Sequence, residues 1–399
     1  MTIEGGITAP AGFRAAGVSC GIKAAGGLDL ALVVADAPSS AAGLFTTSLA
    51  QAAPVILCRE HLQRSGGVAR AIVVNSGCAN ACTGPDGMEV ARTMARETAR
   101  LVGCAEHHVL VASTGVIGVS LDPAKVTAGI GAAVSLLTRE AHHDSARAIM
   151  TTDPWPKEAA IAVDTPKGRF RVGGMAKGSG MIEPMMATML AFLTTDVVIE
   201  PVRLRRAVVD ACETTFNAIT VDGECSTNDA LLALASGGSG VVIDDASEPA
   251  FTDALRHVCR TLALEIVRGG EGATKVVTAR VTGAASYADA RQAAREIANS
   301  PLVKTAIHGG DPNWGRLIAV AGRAGVPFDL DHAEVTIGPI VLFAEGRPFD
   351  DRAPDAAKYL QGKTLDVAVD LGVNGPYAAE IYTCDFSAEY VRINAEYRT

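Results

Sequence analysis

Short apolar runs recurring between helix-patterned stretches constrain this chain more than any other feature. "LALVVAD" (30–36), "PVILC" (54–58), "RAIVVNSG" (70–77) and "HVLVASTG" (108–115) have the length and apolar content of buried strands. Between the last two, "DGMEVARTMARETARLVG" (86–103) sets Val90, Met94 and Leu101 at helical spacing, with Asp86 as its cap. "DPAKVTAGIGAAVSLL" (122–137) opens on an aspartate followed by a proline at the first helical position. "EAAIAVDTPKGRFRVGGMAKGSG" (158–180) alternates about a Pro-Lys-Gly turn and predicts a hairpin, and residues 200–219 and 248–270 form amphipathic helices. From about Ala284 a helix, then "AEVTIGPIVLFAEG" and "LDVAVDLG", predict a smaller α/β domain over about 284–399. The fold class is α/β.

At 399 residues the chain exceeds one ordinary core, so two or three cooperating domains are expected. The net charge of −9 is spread over interspersed acids and bases, with no basic face for nucleic acid and no polybasic membrane segment. No apolar run approaches the roughly 20 residues that span a bilayer, and "MTIEGGITAPAGFRAAG" lacks a secretory pattern. Nine scattered cysteines make no disulfide framework, which favours a reduced, cytoplasmic protein. Cys78 and Cys82 have no second pair to complete a metal site, and His107–His108 and His142–His143 are adjacent residues that cannot face one ion together.

One threonine stands out. In "MIEPMMATMLAFLTTD" (181–196), Thr188 sits inside an apolar stretch, shortly after Lys177 and the glycines flanking Ser179. A threonine hydroxyl needs an adjacent base before it can attack a carbonyl. Cutting the Ala187–Thr188 bond would free an α-amine of pKa about 7.7–8.0 beside that hydroxyl. The alternative is a packed threonine bonded to backbone. On residue type alone, the packed threonine is the better reading.

The wider context favours the nucleophile. "KGSGMIEPMMATMLAFLTTD" resembles the self-processing site of the ornithine acetyltransferase family, the glutamate N-acetyltransferases of arginine biosynthesis. Further blocks follow in that family's order: "VVNSGCANACTG" (73–84), "ASTGVIG" (112–118), "IMTTD" (149–153), "FNAITVDGECSTND" (216–229), "GGEGATK" (269–275), "NSPLVKTAIHGGDPNWGR" (299–316) and "YVRINAEYRT" (390–399). The family carries asparagine where this chain has Met185, a departure next to the cut.

The resemblance implies scission between Ala187 and Thr188, with Thr188 as acyl-carrying nucleophile. It implies Thr114 and Gly115 as the oxyanion hole, and Thr151, Lys177, Glu271, Asn394 and Thr399 as substrate contacts together with Thr188. A lysine suits the α-carboxylate common to the two amino-acid substrates. At Glu271 an anion could hold the cationic amine of ornithine or the α-amine of Thr188. Asp311, Asn313, Trp314 and Arg316 are read as a structural turn, and Asp222, Glu224 and Cys225 are given no catalytic part.

The expected enzyme is a layered α/β sandwich of the autoproteolytic aminopeptidase/ornithine acetyltransferase type. Its pieces 1–187 and 188–399 co-fold, with two copies of each in the assembly. Acetyl passes from N2-acetyl-L-ornithine to L-glutamate through acetyl-Thr188, and no metal or organic cofactor is required. Some members of the family also accept acetyl from acetyl-CoA, and no phosphate-cradling loop here selects one donor or two. The alternatives are a threonine-nucleophile aminopeptidase or amidase, and an unprocessed, non-enzymatic binding protein.

Overall fold

The computed structural model describes residues 1–183 and 189–396. Its described residues divide into two compact units: Met1–Asn217 with Glu224–Ile266, and Ala218–Gly223 with 267–396.

The first unit is built on one sheet, eight-stranded among the described residues. Its strands are β1 (Phe13–Val18), β2 (Leu30–Phe45), β3 (Val68–Cys78), β4 (Val109–Val116), β5 (Lys157–Thr165), β6 (Gly168–Lys177), β7 (Leu190–Thr195) and β8 (Ala230–Ala235). They lie in the order β4-β3-β2-β8-β7-β6-β5, with β1 also paired to β2. The β3–β4 and β7–β8 pairs are parallel and the others antiparallel. Alternate residues of β2 enter opposite cores: Ala31, Val33 and Ala35 join one, Leu30, Leu32 and Val34 the other. Burial on both faces is why such strands read as continuous apolar runs.

Helices α1 (Ala53–Ser65), α2 (Gly84–Val102), α3 (Pro123–Ser135), α4 (His142–Ala148), α5 (Pro201–Glu213) and α6 (Glu248–Arg268) accompany the sheet. Met94 of α2 and Ile130 of α3 pack with Leu32, whereas Ala146 of α4 packs with Val33, so helices cover both faces. Asp122 caps α3 as expected, accepting the Ala124 N–H at 2.8 Å.

Two local expectations are corrected. "PVILC" belongs to α1, because Pro54 suits a first helical turn and Val55, Leu57 and Cys58 bury one helical face. The α2 N-cap is Thr83, while Asp86 lies in the first turn, where its charge faces the positive end of the helix dipole.

The second unit holds β9 (Val276–Ala284), β10 (Glu334–Ile337), β11 (Ile340–Ala344), β12 (Arg347–Pro348), β13 (Thr364–Asp370) and β14 (Tyr377–Cys384), ordered β12-β11-β10-β13-β9-β14. The position near 284 is the end of β9, inside this unit. Helices α7 (Tyr287–Asn299), α8 (Pro301–Gly309), α9 (Trp314–Gly322), α10 (Ala353–Tyr359) and α11 (Ala388–Glu396) complete it. The "GGDPNWGR" segment is structural, as expected. Asn313 caps α9 by accepting the Arg316 N–H at 3.2 Å, and Trp314 stacks on Phe343 with ring centres 5.1 Å apart. Among the described residues no helix is long and apolar enough to cross a membrane.

Candidate active site

In the first unit the parallel strands β3 and β4 place Ser76 opposite Thr114 and Gly77 opposite Gly115, after which the register shifts. Gly115 has φ of +128°, and a Cβ there would lie 2.3 Å from the Gly77 carbonyl carbon. Only glycine lets the two strand ends come this close.

A buried amide network pins those ends. The Ser113 hydroxyl donates to Asn75 Oδ1 at 2.6 Å, and Asn75 Nδ2 donates to the Cys78 carbonyl at 2.8 Å. Asn228 Nδ2 donates to the carbonyls of Ala79 and Ser113 at 2.5 and 2.9 Å. The "NSG" and "STND" motifs thus hold backbone in place. Sequence reasoning gave their asparagines no part.

Lys177, at the end of β6, extends to this edge. Its Nζ donates to Thr151 Oγ1 at 2.8 Å and to Thr114 Oγ1 at 3.3 Å. A hydroxyl that accepts from a cation is a better donor for its own proton, so Lys177 polarises both threonines. The side chain is 11% exposed, which keeps its charge effective.

Asp153 orders this group from behind. Its Oδ1 accepts Lys157 Nζ at 2.5 Å and the Gly178 N–H at 2.7 Å, while Oδ2 accepts the Thr151 N–H at 3.1 Å and lies 4.0 Å from Lys177 Nζ. Burial opposes ionisation, yet the two lysines and these donors together pull the carboxyl down to about 2. A single carboxylate therefore ties the turn carrying Thr151 to the strand end carrying Lys177. Asp229, also deeply buried, is pushed well above the usual carboxylate range by desolvation.

In the second unit Glu271 is almost fully buried and accepts from Asn394 Nδ2 at 2.7 Å. Asn394 also donates to the Tyr390 carbonyl at 3.0 Å, within α11. Gly272, at φ +68°, permits the fit, since a Cβ would lie 2.5 Å from the Tyr390 nitrogen. The Tyr390 hydroxyl donates to Asp222 at 3.2 Å, and Ser387 Oγ donates to the Gly272 carbonyl at 2.7 Å. The 269–272 turn thus anchors the last helix, and its only acidic residue faces that helix.

Of the residues singled out from sequence, Thr114, Thr151 and Lys177 share one hydrogen-bonded group, with Gly115 next to Thr114 in β4. Glu271 and Asn394 are paired in the second unit. Met185, Ala187, Thr188 and Thr399 lie outside the described residues. Sequence reasoning missed Asp153, Lys157, Asn75 and Asn228. A signal was present for Asp153, which closes the "IMTTD" motif four residues before a lysine.

Residues 14–399 match the ArgJ family. A relative from Symbiobacterium thermophilum, named as an arginine biosynthesis bifunctional protein ArgJ, is 46% identical over 404 residues, covering 100% of this chain and 99% of the relative. One of the same name from Gloeobacter violaceus is 47% identical over 402 residues, with 100% and 98% covered. The solved structure of the Bacillus halodurans protein of that name is similar at a TM-score of 0.51 and 39% identity, over 53% of this chain and 100% of that one. The α/β architecture is that of these relatives, and the chain belongs to the ArgJ family, bifunctional acyltransferases of arginine biosynthesis.

Proposed function

We propose that the chain cuts itself before Thr188 and then moves acetyl from N2-acetyl-L-ornithine to L-glutamate, in the cytoplasm, with two copies of each piece assembled together. The Thr188 hydroxyl attacks the Ala187 carbonyl. A C–O bond replaces the C–N bond, the hydroxyl proton passes to the departing nitrogen, and water hydrolyses the ester. The freed α-amine then takes the proton as the hydroxyl attacks the acetyl carbon, and delivers it to the leaving ornithine nitrogen. The amine of glutamate then attacks acetyl-Thr188, a C–N bond replaces the acetyl C–Oγ bond, and the same α-amine takes the proton that glutamate loses and returns it to the leaving Thr188 Oγ. The relatives' shared description as bifunctional supports a second donor, acetyl-CoA.

The observation that carries this reading is the Lys177–Thr114–Thr151 group beside Gly115. A tetrahedral oxyanion needs donors fixed where its charge develops. The Thr114 hydroxyl, already accepting from a cation, and the adjoining Gly115 N–H would supply them. Lys177 and Thr151 would take the α-carboxylate common to both amino acids. Leu190 at the start of β7, two residues after Thr188 in sequence, is the register partner of Lys177. The solved Bacillus halodurans chain matches 53% of this one, the share made by residues 188–399.

Intact mass spectrometry before and after exposure to acetylornithine tests the reading. Two pieces, with an acetyl adduct on the later one, are expected for the wild type, and neither cleavage nor adduct for Thr188→Ala. A whole polypeptide that still transfers acetyl would refute it.

A further inference from the structure

The "SCGIKAAGGLD" stretch (19–29) lies far in sequence from every residue in the candidate site, yet it folds against it. Asp29 is fully buried, and its carboxylate accepts three backbone N–H groups: Cys20 at 2.7 Å, Ile22 at 2.7 Å and Lys23 at 3.1 Å. Three such bonds to one ionised group fix a short loop firmly. The loop presents Lys23 along Gly77, where a Cβ would come within 3.0 Å of Lys23 Cγ. Gly77 is the register partner of Gly115. Lys23 therefore runs beside the end of β3, which pairs with the β4 end that carries the proposed oxyanion donors.

The charges near that edge do not cancel. Asp153 is shared between Lys157, Lys177 at 4.0 Å and two backbone donors, and Asp29 is taken up by the loop it holds, so three lysines, Lys23 among them, face two carboxylates. The half-buried Lys23 ammonium donates to the Leu28 carbonyl at 2.7 Å, and among the described residues no carboxylate lies within 4.0 Å of it. Burial lowers its pKa, and the field of Lys177 lowers it further against the pull of Asp29 and Asp153. Two cations held within each other's field in a partly desolvated edge favour a ligand with two negative charges.

We infer that Lys23 is a specificity-determining residue for the acetyl acceptor: with Lys177 it receives the two carboxylates of a dicarboxylic amino acid. The inference deepens the function proposed above and rests on it. Lys177 serves the α-carboxylate of both substrates, whereas Lys23 serves the side-chain carboxylate that only the acceptor has. The acetylornithine side chain ends in a cation, which Lys23 repels. One edge can thus sort donor from acceptor by the sign at the end of the side chain.

The test compares wild type, Lys23→Met and Lys23→Arg, with acetylornithine as donor and either glutamate or glutamine as acceptor. Glutamine keeps the length of glutamate and loses its side-chain charge. Lys23→Met is expected to raise the KM for glutamate about tenfold, the loss of one partly screened ion pair. The preference for glutamate over glutamine should fall by a similar factor while the KM for acetylornithine does not rise. Lys23→Arg should keep most of the preference. A purely structural lysine would move both acceptors and the donor together, and that result overturns the inference, as does an unchanged preference in Lys23→Met. Absence of an acetyl adduct in the wild type is a different outcome, and would instead remove the reading of the site on which the inference rests.

Discussion

Replacing Asp153 by asparagine tests the electrostatic centre of the first unit. The side chains of Asp153 and Lys157 are both fully buried, with Lys157 Nζ and Asp153 Oδ1 2.5 Å apart. The carboxyl is drawn from an ordinary 3.8 to about 2, which corresponds to roughly 2–3 kcal/mol in favour of the folded, ionised form at neutral pH. Asparagine resembles the protonated acid, so a loss of roughly 2–3 kcal/mol is expected from the missing charge. Leaving Lys157 buried without its counter-charge pushes the loss toward about 3–5 kcal/mol. Because the folded-state pKa is depressed, this stability is fully present above 3.8 and disappears as the pH falls through about 2. The part of the gap between wild type and Asp153→Asn that comes from this shift should therefore fall to roughly half by about pH 3.

Urea unfolding can resolve this in the first unit alone. Of the chain's two tryptophans, Trp155 donates to Glu265 at 3.0 Å in the first unit, while Trp314 belongs to the second. A Trp314→Phe background leaves Trp155 fluorescence as a local probe, and Thr188→Ala keeps the chain continuous for reversible refolding. Adding Lys157→Met to Asp153→Asn should recover part of the loss, since it removes the stranded cation. A loss below about 1 kcal/mol at pH 7, or a gap that does not change with acid, would refute the argument.

Gly115→Ala would force a Cβ to 2.3 Å from the Gly77 carbonyl carbon at φ +128°, displacing the strand end; acetyl-adduct formation, timed by mass spectrometry, should slow by about 100-fold or more. Asn394→Ala removes a donor from the buried Glu271 carboxylate, and amide exchange over 388–396 should quicken by roughly tenfold while β13 keeps its protection. The first acetylation step, measured by rapid quench in the processed protein, should accelerate with pH through a midpoint near about 7.7–8.0, as the α-amine of Thr188 loses its proton. A flat profile there would leave that amine with no part in proton transfer.

The sequence makes the two-sided sheet legible because strands buried on both faces have no polar side to alternate with. It misleads where an apolar run is short. "PVILC" carries β-branched residues yet becomes helix, since Pro54 starts a turn and good helix formers follow it. "ALLALA" (230–235) consists of strong helix formers yet becomes β8, every residue buried between β2 and β7. Tertiary surroundings outweigh propensity in both. Thr114, Thr151 and Lys177 were legible as motif residues, and their mutual contact follows from two strand ends meeting at one edge. Asp153 and Lys23 were not. The first is hidden in a motif read for its threonines, and the second stands 154 positions from Lys177, joined to it only by folding.

The strand order sets a timetable for maturation. β7 and β8 come from beyond residue 189, yet they are inserted between β2 and β6, which both precede 178. A break anywhere in 178–189 would leave two polypeptides dovetailed through a shared sheet. Without the later one, the earlier one would hold two detached ribbons, β4-β3-β2 and β6-β5, with a two-strand gap between them. The proposed scission would therefore have to trail assembly, and halves made from separate genes would have to find each other while still folding.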